Sequence, residues 1–181
     1  MKQTIQTSIL DTKLSVPFLG YEHAFPLPAE KSLTSCGMCA AAMAISYKGP
    51  KVDLKNLIEA GHINGGFTQN GWGHDYLLSV LNQYDIVAQR LENIPLVKGC
   101  TMICESIEKE NPVIVSGRKL FMEQTSFHIV IIVGYRKDID GNILGFFYHD
   151  PAIAGGEKAS FRFVSKENFI QFWRQMALVL E

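Results

Sequence analysis

The segment from Cys36 to Lys48, Cys-Gly-Met-Cys-Ala-Ala-Ala-Met-Ala-Ile-Ser-Tyr-Lys, is the strongest constraint on how this chain can fold. Its Ala and Met content favours a helix, Thr34 and Ser35 before it are N-cap types, and Gly49-Pro50 after it ends it. Nearly every face of that helix is apolar, so it has no side to turn to water and must be enclosed by other elements. With 181 residues, of which 47% are hydrophobic and 19% charged, the chain can bury one such core, whereas a second would be cramped. The expectation is a single domain over residues 1–181, in which 1–33 is an extended lead-in.

Pro17, Pro26 and Pro28 with Gly20 exclude a long helix from that lead-in and leave room for one short strand at 13–18. Further helices are expected at 53–60, capped by Asp53 and ended by Gly61, at 75–84, and at 100–110 before Asn111-Pro112. The character then changes. Residues 113–116, 128–135, 143–149 and 160–164 are β-branched and aromatic runs bounded by turn residues, and a helix over 166–175 follows. Helices first and strands second is the order of an α+β domain, with N-terminal helices packed on an antiparallel β-sheet.

Seventeen Lys and Arg against 18 Asp and Glu leave no basic footprint, so nucleic acid is not an expected partner. Residues 1–7 lack the apolar region of a secretory signal, and apolar runs such as 129–133 are far short of the roughly 20 residues of a membrane span. A soluble, cytoplasmic protein without a membrane span is expected, although export without a signal peptide stays open. Four cysteines are too few for a disulfide scaffold and read as free thiols or metal ligands.

Cys36 falls on the first turn of the apolar helix, where unpaired backbone N–H groups and the helix dipole favour a thiolate. Gly37 beside it leaves room for a substrate carbonyl. The plain alternative is a small buried hydrophobe on an apolar helix. A base is offered by His128, which opens an otherwise apolar run. Asp138, Asp140 and Gly141 in the following connection suggest a β-hairpin, and folding it about Ile139 sets His128 opposite Asp150, within hydrogen-bonding reach. That register is an assumption, since a turn at Asp140-Gly141 would pair His128 elsewhere. The alternative for His128 is a strand end near solvent.

Ser35-Cys36-Gly37 with Met43 and Tyr47-Lys48-Gly49, then Asn111-Pro112-Val113-Ile114-Val115, then His128 to Gly134-Tyr135, then His149-Asp150-Pro151, resembles the double-glycine leader peptidase-like branch of the papain-like cysteine peptidases. The likeness runs from about Val16 to the end. It implies the papain-like fold, a peptide or protein substrate, and catalytic residues Cys36 as nucleophile, His128 as base and acid, and Asp150 as its orienting partner. No metal and no organic cofactor are implied. An acyltransferase would use the same residues.

One departure stands out. The family places a Gln upstream of the Cys as a side-chain oxyanion donor, and residues 13–35 contain none. Glu30 cannot donate when ionised, whereas Tyr21, His23 and Ser35 can, and Gln3, Gln6, Gln69 or Gln124 would have to come from elsewhere. A fold kept for peptide binding without catalysis is therefore a second class of reading. Two others are a thioredoxin-like dithiol at Cys36-Gly37-Met38-Cys39, and a zinc module using Cys36, Cys39, Cys100 and Cys104. Against the first, no hydrophobic strand precedes the motif. Against the second, Cys100 and Cys104 have plain helical spacing. His23, His62, His74 and His149 read as surface or loop residues, with His74 placed to line a groove. The glycine-rich stretch 61–73 reads as a mobile cleft rim presenting Phe67 and Trp72, or as an ordinary connector.

Overall fold

The computed structural model describes residues 9–181. In chain order it contains β1 (Ile9–Lys13), a 3₁₀ turn (Tyr21–Ala24), the short α1 (Ala29–Ser32), α2 (Cys36–Lys48), α3 (Leu54–Ile63), β2 (Phe67–Thr68), β3 (Gly71–Trp72), α4 (His74–Asn82), β4 (Ala88–Leu91) and α5 (Leu96–Glu108). Then follow β5 (Val113–Arg118), a second 3₁₀ turn (Lys119–Phe121), β6 (Phe127–Asp138), β7 (Ile143–His149), α6 (Gly156–Ala159), β8 (Arg162–Ser165), α7 (Lys166–Phe172) and β9 (Trp173–Leu180). This is an α+β fold. Among the described residues no helix is long and apolar enough to cross a membrane.

α2 spans the expected residues, and the side chains from Met38 to Ile45 have no solvent exposure at all. Its four alanines in that stretch keep the helix slim, and it packs directly on β6. A seven-stranded antiparallel sheet runs β4-β9-β5-β6-β7-β8, with β1 added to β6. β6 is the organising strand. Residues 127–132 pair with β5 on one edge, residues 134–138 pair with β1 on the same edge, and β7 lies along the other. Every residue from His128 to Tyr135 is buried, which in a strand means that both faces are covered, and α2 and α5 both pack against it.

Several boundaries differ from expectation for identifiable reasons. The lead-in strand is Ile9–Lys13 and not 13–18, because β5 begins opposite Ile132 and leaves the edge of β6 open only from Gly134 onward. Leu14 donates the last bond, to Val133 O at 2.8 Å, and the chain then leaves the sheet before Pro17. α3 continues through Gly61 to Ile63, since Trp72 packs onto that glycine and no cap forms there. α5 starts one turn before residue 100, directly after Pro95. The final helix stops at Phe172, and the run Met176 to Leu180 is a strand between β5 and β4. A short continuous apolar run does not reveal by its periodicity whether it is strand or helix.

At Gly134 the backbones of β1 and β6 lie close together. A Cβ there would stand 2.3 Å from Thr12 O and 3.1 Å from Lys13 Cα, so the backbones would have to separate. Gly134→Ala is therefore expected to lower stability by about 1–3 kcal/mol in urea unfolding, with hydrogen exchange accelerated at residues 10–14 before the rest of the sheet.

Candidate active site

The start of α2 is left open by its own side chains. Ser35 occupies the N-cap position, but its hydroxyl donates to Ser32 O at 2.6 Å and meets Cys39 Sγ at 3.4 Å, so it makes no bond to the first-turn N–H groups. Thr34 Oγ1 is likewise spent on Glu30 O at 2.7 Å. Cys36 sits at this uncapped end, with the N–H groups of Ile129 and Gly37 and the imidazole of His128 close to it. Burial pushes the Cys36 thiol up, but the hydrogen bond and charge of His128 and these two N–H groups outweigh it, and the net shift is downward. Gly37 is covered by Trp72, so the room it gives is filled by the indole and not left for a substrate.

His128 Nε2 is 2.7 Å from Asp150 Oδ1, which leaves Nδ1 for Cys36. Burial alone would lower the imidazole pKa. The bonds to Asp150 and Cys36, with their charges, raise it to about 9. Asp150 is fully buried at the end of β7, where Oδ1 also accepts the Ala152 N–H at 3.0 Å, the Asx turn that an Asp-Pro sequence favours. Its burial raises the carboxyl pKa, and the bond and charge of His128 more than reverse that. Asp150 Oδ2 is buried without a partner among the described residues.

The register that joins these residues is not the one expected. Ile131 lies opposite His149 and Lys137 opposite Ile143, so the hairpin folds two positions away from symmetry about Ile139, and His128 and Asp150 are diagonal, not opposed. Two bulges lie between, one with Val133 as the extra residue of β6 and one with Leu144 as the extra residue of β7. They cancel, so His128 keeps the face that Asp150 shares, and the imidazole spans the diagonal.

A cleft of about 360 Å³ opens over Cys36 and His128. The β2–β3 hairpin and the first turn of α4 form one wall, with Phe67, Trp72 and His74, as the sequence suggested for the stretch 61–73 and for His74. The rim is a folded wall. Trp72 Nε1 donates to Thr34 O at 2.7 Å, and its ring packs edge-on against Phe67 and His62. The sheet side adds Phe127, with the Arg174 guanidinium 4.1 Å over its ring. Tyr21 lines the cleft beside Cys36, whereas Glu30, Gln69 and Gln124 are exposed and do not line it. Gln3 and Gln6 lie outside the described residues.

His149 corrects the sequence reading, which had it at the surface. It is completely buried, its Nδ1 accepting the Phe161 N–H and its Nε2 donating to Val16 O, both at 3.0 Å, so that it fastens both the lead-in and the loop after Asp150. Its place next to Asp150 at the end of an apolar strand is the signal that could have marked it. His62 is half-buried against the aromatic wall, and His23 is exposed. The dithiol reading fails on the fold and on Cys39, which is buried, with burial driving its thiol up to about 12. All four cysteines are free, and no three His, Cys, Asp or Glu side chains among the described residues converge as a metal ion requires, so the four-thiolate zinc reading has no basis.

Solved structures of known proteins share this fold. A candidate C39-like peptidase from Bacillus anthracis superposes with a TM-score of 0.69, at 18% identity, over 95% of this chain and 98% of its own. A double glycine motif protease from an AMS/PCAT transporter, solved in complex with the leader peptide, gives 0.58 at 17% identity over 93% and 92%. The peptidase domain of Streptococcus ComA, a bi-functional ABC transporter, gives 0.59 at 13% identity over 93% and 97%. No curated protein matches the sequence. The fold is that of the papain-like cysteine peptidases. The Peptidase_C39 like family matches residues 13–179, and the chain belongs to that family.

His149 also sets a pH dependence. Burial lowers its pKa, so the unfolded chain, with an imidazole near 6.5, binds a proton that the folded one does not. Its contribution to stability is complete above about pH 6.5 and is lost as the pH falls. His149→Gln, whose amide can both donate to Val16 O and accept from Phe161 N–H, should remove this component. Between pH 7.5 and 5.5 the wild type should lose stability relative to that variant by up to about 1.4 kcal/mol per pH unit, read from urea unfolding.

Proposed function

We propose that the protein hydrolyses a peptide or amide bond with Cys36 as nucleophile, His128 as general base and acid, and Asp150 as the residue that orients His128. The observation that carries this reading is the 2.7 Å bond from Asp150 Oδ1 to His128 Nε2, with that imidazole beside Cys36 at the mouth of a cleft and lowering the thiol pKa. A thiolate and an imidazolium are the resting pair. Cys36 attacks the carbonyl carbon, the leaving amine takes its proton from His128, and a thioester remains on Cys36. Neutral His128 then takes a proton from water as that water attacks the thioester, and Cys36 leaves as thiolate. An amine in place of water would give acyl transfer with the same residues. A peptide substrate is supported by the leader peptide bound to the related transporter protease. Residues 1–181 act in this proposal as one domain, since β1 of the lead-in is part of the main sheet.

The test needs no known substrate. Iodoacetamide should modify Cys36 rapidly well below the ordinary thiol pKa of about 8.5, with the pH profile moved upward in His128→Ala. Mass spectrometry would separate it from the buried Cys39, Cys100 and Cys104, which serve as slow internal controls. Labelling that rises only near the ordinary pKa and ignores the substitution would sink the catalytic reading and favour a peptide-binding role.

A further inference from the structure

Attack on a carbonyl puts negative charge on its oxygen, and a site of this type needs hydrogen-bond donors aimed there. The uncapped N-terminus of α2 can offer backbone N–H groups. A side-chain donor is the missing part. Glu30, six residues before Cys36, points into solvent from α1, and neither Gln69 nor Gln124 lines the cleft. The nearby alternatives are already engaged. The Ser35 hydroxyl donates to Ser32 O, Thr34 to Glu30 O, and Trp72 Nε1 to Thr34 O.

We propose that the Tyr21 hydroxyl is the side-chain oxyanion donor of this site, giving its hydrogen to the carbonyl oxygen as Cys36 attacks; this rests on the triad proposed above. Tyr21 opens the 3₁₀ turn of the lead-in, and its backbone N–H donates to Pro151 O at 2.9 Å. The residue is thereby fastened to the segment that carries Asp150. From there its side chain reaches the same cleft as Cys36 and His128, with the phenol near enough to Cys36 to feel the charge of its sulfur. A donor for the oxyanion belongs beside the attacking sulfur, because the carbonyl carbon binds to that sulfur and its oxygen lies one bond further on. Asn70 and His74 also line the cleft, but from the opposite, hairpin and α4 wall. Burial and the negative groups around it, Cys36 and Asp150 among them, push the phenol pKa upward, so the O–H stays in place as a donor.

Two reagents separate this role from others. Iodoacetamide alkylates sulfur by displacing iodide and forms no oxyanion, whereas p-nitrophenyl acetate acylates sulfur through a tetrahedral oxyanion before releasing p-nitrophenolate. In Tyr21→Phe the acylation rate of Cys36 should fall on the order of 10²-fold while alkylation stays within about 3-fold of wild type. Retained alkylation also reports that the variant is folded. Equal losses with both reagents, or no loss with either, would overturn the assignment of Tyr21 while leaving the triad standing. If wild-type Cys36 reacts with neither reagent faster than its His128→Ala variant does, the triad itself fails, and the Tyr21 proposal with it.

Discussion

The contact between α2 and β6 is the constraint on which everything else rests. A helix without a polar face can exist only if another element covers it, and a strand buried on both faces needs a partner that can come close. Alanines supply the closeness on one side. On the other, β6 is long enough to meet α2, carry three neighbouring strands and still present His128 at its start. The candidate site is thus a by-product of the core. Cys36 stands at the start of a helix enclosed along most of its length, and His128 near the start of a strand buried from His128 to Tyr135, so their separation is set by close packing and not by loops.

The hairpin of β6 and β7 shows how narrowly such an arrangement is specified. One bulge alone would turn the remainder of the strand over and carry Asp150 away from the imidazole. A second, on the facing strand, turns it back. The bond at 2.7 Å therefore depends on an extra residue in each strand, Val133 and Leu144, well away from the site.

What the sequence disclosed follows the range of the forces involved. α2 was legible to the residue, because its composition and its stop signal are local. Cys36, His128 and Asp150 were legible as a set, although the pairing of the last two was reached through a register that the structure corrects; a shift of two positions preserves the face, so the conclusion survived its premise. β1, β4 and β9 were not legible. Each is a strand only because of a distant partner, and nothing in Met176 to Leu180 distinguishes it from a buried helix until β5 and β4 are in place. His149 belongs to the same class, since its bonds join the lead-in to the loop after β7, and Tyr21, one of three donors the sequence offered, is placed by an equally non-local bond to Pro151 O. Trp72 falls between: its aromatic character suggested a cleft, but the bond to Thr34 that fixes it is non-local.

Cys39 gives the site a redox character of its own. A thiol whose pKa is lowered, as that of Cys36 is, is more readily converted by peroxide to a sulfenic acid, which a neighbouring thiol can then condense with. Here the nearest sulfur in sequence, one turn along the same helix, is sealed in the core and kept protonated by its burial, while its hydroxyl neighbour Ser35 holds it in place. Cys36 oxidised in this way has no resolving partner in its own helix, so reductant from solution must restore it before a second peroxide carries it to the sulfinic acid.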